Sequence, residues 1–122
     1  MKELFSAKLP LKSELMTTVR LTTGGLCSLA GLSLDESEDC KVCVTESLLL
    51  LMHRGYSSVG VRFCEDGGLR VEITGEGTCG KEQESVEDEI SVALLNALTE
   101  NVNLQKEDGC LYAIGFRFGN GR

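Results

Sequence analysis

The chain lacks the features that mark membrane-spanning, secreted and nucleic-acid-binding proteins. No apolar run approaches the about 18 residues of a membrane span, and the N-terminal sequence Met-Lys-Glu-Leu-Phe-Ser has no apolar signal-peptide core. Basic residues are scarce, 12 against 19 acidic ones, which gives a net charge of -7. Such a surface disfavours nucleic acid and anionic membranes, because both attract Lys and Arg. We therefore expect a cytoplasmic protein with neither as partner; a basic protein partner fits the charge, and so does plain solubility.

Metal-ligand patterns are also few, although the chain has six cysteines. Cys40 and Cys43 form the only Cys-x-x-Cys pair, and His53 is the only histidine, whereas structural zinc sites usually take four ligands. A redox pair normally begins a helix, but this one falls inside a predicted helix. Most of the cysteines lie in apolar patterns and are expected to be free core residues. A metal- or redox-responsive module using Cys40 and Cys43 stays an alternative.

What is present suits a single domain spanning residues 1–122, with 42% hydrophobic and 25% charged residues. Alternating apolar residues predict strands at 3–9, 59–64, 69–74, 102–105 and 110–118, and helical spacing predicts helices at 11–32, 35–54 and 86–101. The run Asp66-Gly67-Gly68 predicts a hairpin turn. The order β-α-α-β-β-loop-α-β-β predicts an α/β (α+β) two-layer sandwich, with a mixed, mostly antiparallel sheet and helices on one face.

The helices carry several local signals. Gly24 and Gly25 cost about 1 kcal/mol each within the first helix, which predicts close backbone packing or a local break there. His53 is expected to be a helix-end residue that complements the C-terminal dipole. In the third helix the apolar residues share one face: Val86, Ile90, Ala93, Leu94, Ala97 and Leu98.

Glu46 stands out because it is a carboxylate embedded in the apolar second helix. Such a group costs free energy unless it is paired, hydrated or bound to a metal. Without a metal site we expect it to bond to backbone, to Thr45 or Ser47, or to water. One helical turn later, on the same face, the sequence has Leu50.

Residues 11–47, 59–77 and the final segment "ALLNALTENVNL…GCLYAIGFRF" together carry a family resemblance. The chain resembles the ATP-binding domain shared by gyrase, histidine kinases and mismatch-repair ATPases (the GHKL superfamily, with the Bergerat fold). Within that superfamily it is most similar to the bacterial anti-sigma factor serine kinases. The resemblance covers nearly the whole chain and implies the histidine-kinase-like ATPase fold.

The resemblance also implies a nucleotide site in which two polar residues are replaced. Glu46 matches the general base or water-positioning Glu of the Glu-x-x-x-Asn motif, but Leu50 stands where the family has its magnesium-binding Asn and cannot ligate a hard cation. Gly75 and Gly77 match the Asp-x-Gly-x-Gly motif, but Ile73 replaces the adenine-binding Asp. Losing a hydrogen bond to a charged group, worth about 1.5–3 kcal/mol, weakens binding roughly 10- to 100-fold.

The family's glycine-rich phosphate turn is replaced by an acidic segment. Residues 81–89 contain five carboxylates: Glu82, Glu84, Glu87, Asp88 and Glu89. They would occupy a helix N-terminus that otherwise suits an anion and would repel a triphosphate. Our hypothesis is that Leu50 and Ile73 partly fill the nucleotide space. No cofactor is expected; only the family resemblance suggests ATP and Mg²⁺ as ligands.

These departures favour a regulator that works by protein contact, with ATP binding lost or weakened. The resemblance implies a sigma factor or an anti-sigma antagonist as partner and a possible homodimer paired through the sheet region. Arg20, on the first helix, is our candidate for the partner face. The alternative is a divergent ATP-dependent serine/threonine kinase that phosphorylates an anti-sigma factor antagonist, with Glu46 as its catalytic residue.

Overall fold

The computed structural model describes residues 1–80 and 85–119. Its elements follow the predicted order: β1 (Lys2–Pro10), a short 3₁₀ helix (Ser13–Leu15), α1 (Met16–Leu29), α2 (Leu34–His53), β2 (Ser58–Glu65), β3 (Leu69–Glu76), α3 (Val86–Leu98), β4 (Asn103–Glu107) and β5 (Cys110–Phe118). The helix predicted at 11–32 begins late. The Leu11 amide donates to the Ser57 carbonyl at 3.0 Å, so the chain still follows the sheet edge there.

The five strands form one sheet in the order β1-β2-β3-β5-β4, and every described pairing is antiparallel. The predicted hairpin joins β2 to β3. One sheet face carries the apolar side chains of the core. The opposite face carries ion pairs, among them Arg62 with Glu3 at 2.7 Å and with Glu72 at 3.0 Å. The α+β two-layer sandwich with helices on one face is therefore confirmed, whereas the described sheet is entirely antiparallel and not mixed.

The first two helices pack on each other and on the sheet. Ser33 caps α2 through a capping box with Glu36. The helix α1 runs unbroken through both of its glycines, and a Cβ on Gly24 would lie 3.0 Å from Cε of Lys41. That atom is the far end of a flexible side chain, and a Cβ on Gly25 would meet no atom within 4 Å, so the described contacts show close backbone packing at neither glycine.

The third helix turns a mixed face inward, with Leu95 and two polar side chains buried on it. Asp88 and Ser91 are buried, at 1% and 4% exposure, whereas Val86 and Ile90 are exposed at 69% and 56%. An amphipathic helix usually buries its apolar stripe. Here α3 lies against α2, whose facing side chains are charged, and these charges select the polar side of α3.

The cysteines divide into two groups: most are free and buried, as expected, whereas two form a disulfide. Cys79 and Cys110 form a disulfide across a sequence separation of 31. It ties the loop after β3 to the first residue of β5. The remaining four are free and buried, at positions 27, 40, 43 and 64.

Candidate functional site

The family's nucleotide motifs map onto the C-terminal half of α2, the end of β3 and the start of α3. In this chain, α2 and α3 meet there through polar side chains. We call this contact the α2–α3 seam; it consists of Glu46, His53, Arg54, Asp88 and Ser91.

Glu46 is engaged by a residue far away in the sequence. Its Oε1 accepts a hydrogen bond from the Ser91 hydroxyl at 2.7 Å. Thr45 and Ser47, the two neighbours suggested from the sequence, instead donate to carbonyls of their own helix, those of Lys41 and Cys43; the suggestion of a backbone or water partner stays a prediction. Glu46 is half-buried, and its carboxylate accepts a hydrogen bond from a donor on α3.

Asp88 joins the start of α3 to the end of α2. One oxygen lies 2.9 Å from His53 Nδ1, and the other lies 3.2 Å from an Arg54 guanidinium nitrogen. The same carboxylate forms a capping box with Ser85. Burial alone would raise the pKa of Asp88, but His53, the Ser85 amide and Arg54 together lower that pKa below its usual range. His53 is thus a partner of Asp88 and not only a helix-end residue.

The acidic segment is consequently less uniform than its sequence suggests. Asp88 is buried and paired with the Arg54 guanidinium, so it does not add to an exposed field that would repel a triphosphate. Glu87 and Glu89 are exposed. Glu82 and Glu84 lie outside the described residues.

The two residues that replace the family's polar ligands are both buried. Leu50 is 1% exposed and Ile73 is 0% exposed, and they belong to the same apolar core. Ile73 lies in the middle of the sheet, between Val61 on β2 and Ile114 on β5.

The two retained glycines pack against the segment that follows α2. A Cβ on Gly75 would lie 2.6–2.9 Å from ring carbons of Tyr56, so the aromatic ring covers this glycine directly. The Tyr56 hydroxyl donates to the Leu111 carbonyl at 2.9 Å, which fixes the ring. Gly77 has a φ of 108° and would place a Cβ 3.0 Å from the Ser57 hydroxyl, so its conformation requires glycine.

The loop after β3 is held against the end of α2. The Gly80 amide donates to the Arg54 carbonyl at 2.7 Å, and a Cβ on Gly55 would lie 3.2 Å from the Gly80 nitrogen. Together with the Cys79–Cys110 disulfide, these contacts fix the loop at two consecutive residues, Cys79 and Gly80.

The remaining candidates lie elsewhere. Arg20 is exposed on α1, and its partner role stays a prediction.

Cys40 and Cys43 are buried in the core. The hydrogen bond with Cys27 and burial raise the pKa of Cys40, and burial with nearby Asp39 and Glu46 raises the pKa of Cys43 to about 12. Both are therefore thiols at neutral pH.

The described residues contain neither a cluster of metal ligands nor a membrane-spanning helix. Within 1–80 and 85–119, no group of three or more His, Cys, Asp or Glu side chains could hold a metal ion. None of the helices described is long and apolar enough to cross a membrane.

Sequence reasoning missed Arg54, Tyr56 and Ser91. The spacing Ser85-x-x-Asp88 is visible as a capping box, and it could have singled out Asp88. Nothing local in the sequence indicates that Ser91 reaches Glu46 or that the Tyr56 ring covers Gly75. Both contacts depend on how distant segments pack.

The chain is similar to known proteins at low identity. No protein-family model matches it. It is 29% identical over 104 residues to the serine-protein kinase RsbW of Staphylococcus epidermidis, and the same values hold for two strains of that species. The match covers 80% of this chain and 62% of those relatives, so the chain spans less than two thirds of their length.

A solved structure shows the same fold. The crystal structure of the RsbU and RsbW domains of Rv1364c from Mycobacterium tuberculosis matches with a TM-score of 0.67 and 14% identity, over 95% of this chain and 32% of that one. The chain therefore has an RsbW-like fold of the GHKL type.

Proposed function

We propose that this protein is an RsbW-like, anti-sigma-factor-type regulator that acts by protein contact and has lost or weakened ATP binding. Its partner would be a sigma factor or an anti-sigma antagonist. The cytoplasmic location, a homodimer and a partner face at Arg20 belong to the same proposal. The similarity to RsbW supports the regulatory class, and the replaced nucleotide motifs support the loss of ATP binding.

The observation that carries the proposal is the burial of Leu50 and Ile73. At these two positions the resembling family has its magnesium-binding Asn and its adenine-binding Asp. Here both side chains are apolar, have at most 1% of their surface exposed and belong to one core. A nucleotide would have to displace packed hydrocarbon and would gain neither a metal ligand nor an adenine acceptor.

The contacts in the α2–α3 seam also support the loss of ATP binding. The Glu46 carboxylate, which matches the family's general base, accepts a hydrogen bond from Ser91 at 2.7 Å and is thereby held against α3. The start of α3 is occupied by the side chain of Asp88, paired with Arg54 and His53. Phosphate binding at this helix start would compete with a carboxylate that belongs to the chain itself.

Titration calorimetry with ATP or ADP and Mg²⁺ tests the proposal. We expect a dissociation constant weaker than about 100 μM, because two ligands worth about 1.5–3 kcal/mol each are missing. Tighter binding by the wild type would overturn the proposal.

A paired substitution tests why binding is weak. Leu50→Asn with Ile73→Asp should regain affinity if the site is only chemically disabled, and no gain in the folded variant would indicate physical closure. Leu49→Asn, a polar change at a half-buried neighbour on α2, is the matched control. Circular dichroism must show that the paired variant still folds, because it buries new polar groups.

A kinase stays the second candidate, since Glu46, Gly75 and Gly77 match the family motifs and the similar proteins are described as serine-protein kinases. It requires ATP binding, so the same titration separates the two. If ATP binds, transfer of labelled phosphate to an anti-sigma antagonist, abolished by Glu46→Gln, would establish the kinase.

A further inference from the structure

We infer that the outward side of α3 is a docking surface for a basic amphipathic helix of a protein partner. We call this surface the α3 outer face; its residues are Val86, Ile90, Ala93, Leu94 and Ala97. The inference rests on the proposed function in one respect, since it names a surface for the protein contact. It does not depend on whether ATP binds.

The α3 outer face is a continuous apolar stripe. Val86, Ile90 and Leu94 follow one another at four-residue spacing and are 69%, 56% and 37% exposed. Ala93 and Ala97 are exposed between them. At 100° per residue these five side chains fall within about 100° of arc, and the 13 residues of the helix extend over about 20 Å.

Within residues 1–80 and 85–119, the fold leaves this stripe uncovered. The opposite side of α3 carries Leu95, which is 0% exposed, and Asp88, which contacts His53 and Arg54 on α2. Turning the stripe inward would break those ion pairs and expose Leu95. The apolar surface must therefore be covered by something other than the core of this chain, or remain in water.

The charges beside the stripe indicate what covers it. Glu87 and Glu89 are exposed and lie on opposite flanks of the stripe, about 100° and 60° from Val86 around the helix axis. No residue of α3 is basic. The complementary occupant is a helix with apolar side chains flanked by Lys or Arg, in the helix-in-groove manner. A second copy of α3 packed parallel would bring the carboxylates of the two first turns together, which disfavours that self-pairing.

A pair of synthetic helical peptides tests the inference directly. One has Leu at positions i, i+3, i+4 and i+7 with flanking Lys; the other has the same Leu pattern with flanking Glu. Fluorescence anisotropy of the labelled peptides should show micromolar binding of the Lys peptide and at least about tenfold weaker binding of the Glu peptide.

Variants then locate the binding surface. Ile90→Ser should weaken binding of the Lys peptide about 10- to 100-fold, the loss expected for one buried aliphatic side chain. Glu87→Lys with Glu89→Lys should reverse the preference between the two peptides. Asn96→Ser, an exposed change beside the stripe, should leave binding unchanged. All of these positions are exposed, so the variants should fold normally.

Three results would overturn the inference. The first is that neither peptide binds. The second is that both bind equally, which would indicate apolar adhesion without charge selection. The third is that the protein self-associates through the α3 outer face and that Ile90→Ser abolishes this association in sedimentation. None of these results bears on the nucleotide titration, so the two proposals can fail separately.

Discussion

Replacing Gly75 by alanine tests whether this glycine now serves packing. In the resembling family the glycine belongs to a nucleotide motif. Here a Cβ at this position would lie 2.6 Å from Cδ2 and 2.8 Å from Cγ of Tyr56. Ordinary carbon–carbon contacts are about 3.5–4.0 Å, so the ring would have to move by about 0.9 Å. The ring is 8% exposed and has little room to do so.

Two costs oppose one gain in this substitution. Overpacking a well-packed site costs about 1–3 kcal/mol, and moving the ring weakens the hydrogen bond from Tyr56 to Leu111, worth about 0.5–1.5 kcal/mol. Alanine regains about 0.5–1 kcal/mol of backbone entropy. We therefore expect Gly75→Ala to lower the free energy of unfolding by about 1–3 kcal/mol.

Urea denaturation measures this change, with Gly25→Ala as the matched control. A Cβ on Gly25 meets no atom within 4 Å, so that variant should be more stable by about 0.4–1 kcal/mol. In a Tyr56→Leu background the cost of Gly75→Ala should fall by at least about 1 kcal/mol. The packing argument fails if Gly75→Ala changes stability by less than about 0.5 kcal/mol, or if its cost is the same in both backgrounds.

Two further predictions concern charge and covalent linkage. The pKa of Asp88 is lowered in the folded state, so its contribution to stability is present above the unfolded pKa of about 3.9 and is lost as pH falls below about 4. Asp88→Asn should therefore flatten the dependence of the free energy of unfolding on pH in that range. The same pH dependence in the variant as in the wild type would contradict this. Replacing Cys79 and Cys110 together by serine should cost about 3–4 kcal/mol for a separation of 31. Dithiothreitol should then destabilise only the wild type; a wild type insensitive to dithiothreitol would contradict the linkage.

Much of the fold could be predicted because its signals are local. Residue alternation located all five strands, and the hairpin turn after β2 followed from its Asp-Gly-Gly run. Gly31 and Gly55, with φ of 75° and 89°, ended α1 and α2 as glycines at these positions do. The predicted helix start at residue 11 was wrong, because a tertiary hydrogen bond to Ser57 holds that residue in extended chain.

The site was harder to predict because its partners are distant in sequence. Ser91 lies 45 residues from Glu46, and no periodicity reports such a pairing. The orientation of α3 was also hidden. A pattern shows which side chains share a face but not which face a neighbouring charged helix will select. The burial of Leu50 and Ile73, in contrast, could be predicted from the sequence, since it follows from helix and strand spacing alone.

The position of Asp88 also has a consequence for how α3 forms. Its carboxylate both caps the first turn of α3 and contacts the last residues of α2. The atoms that start the helix are therefore the atoms that dock it. A short isolated helix is marginal in water, so α3 should gain its structure only on reaching α2. Fraying of α3 and its separation from α2 then become one cooperative event, and hydrogen exchange along the helix should report a single opening reaction.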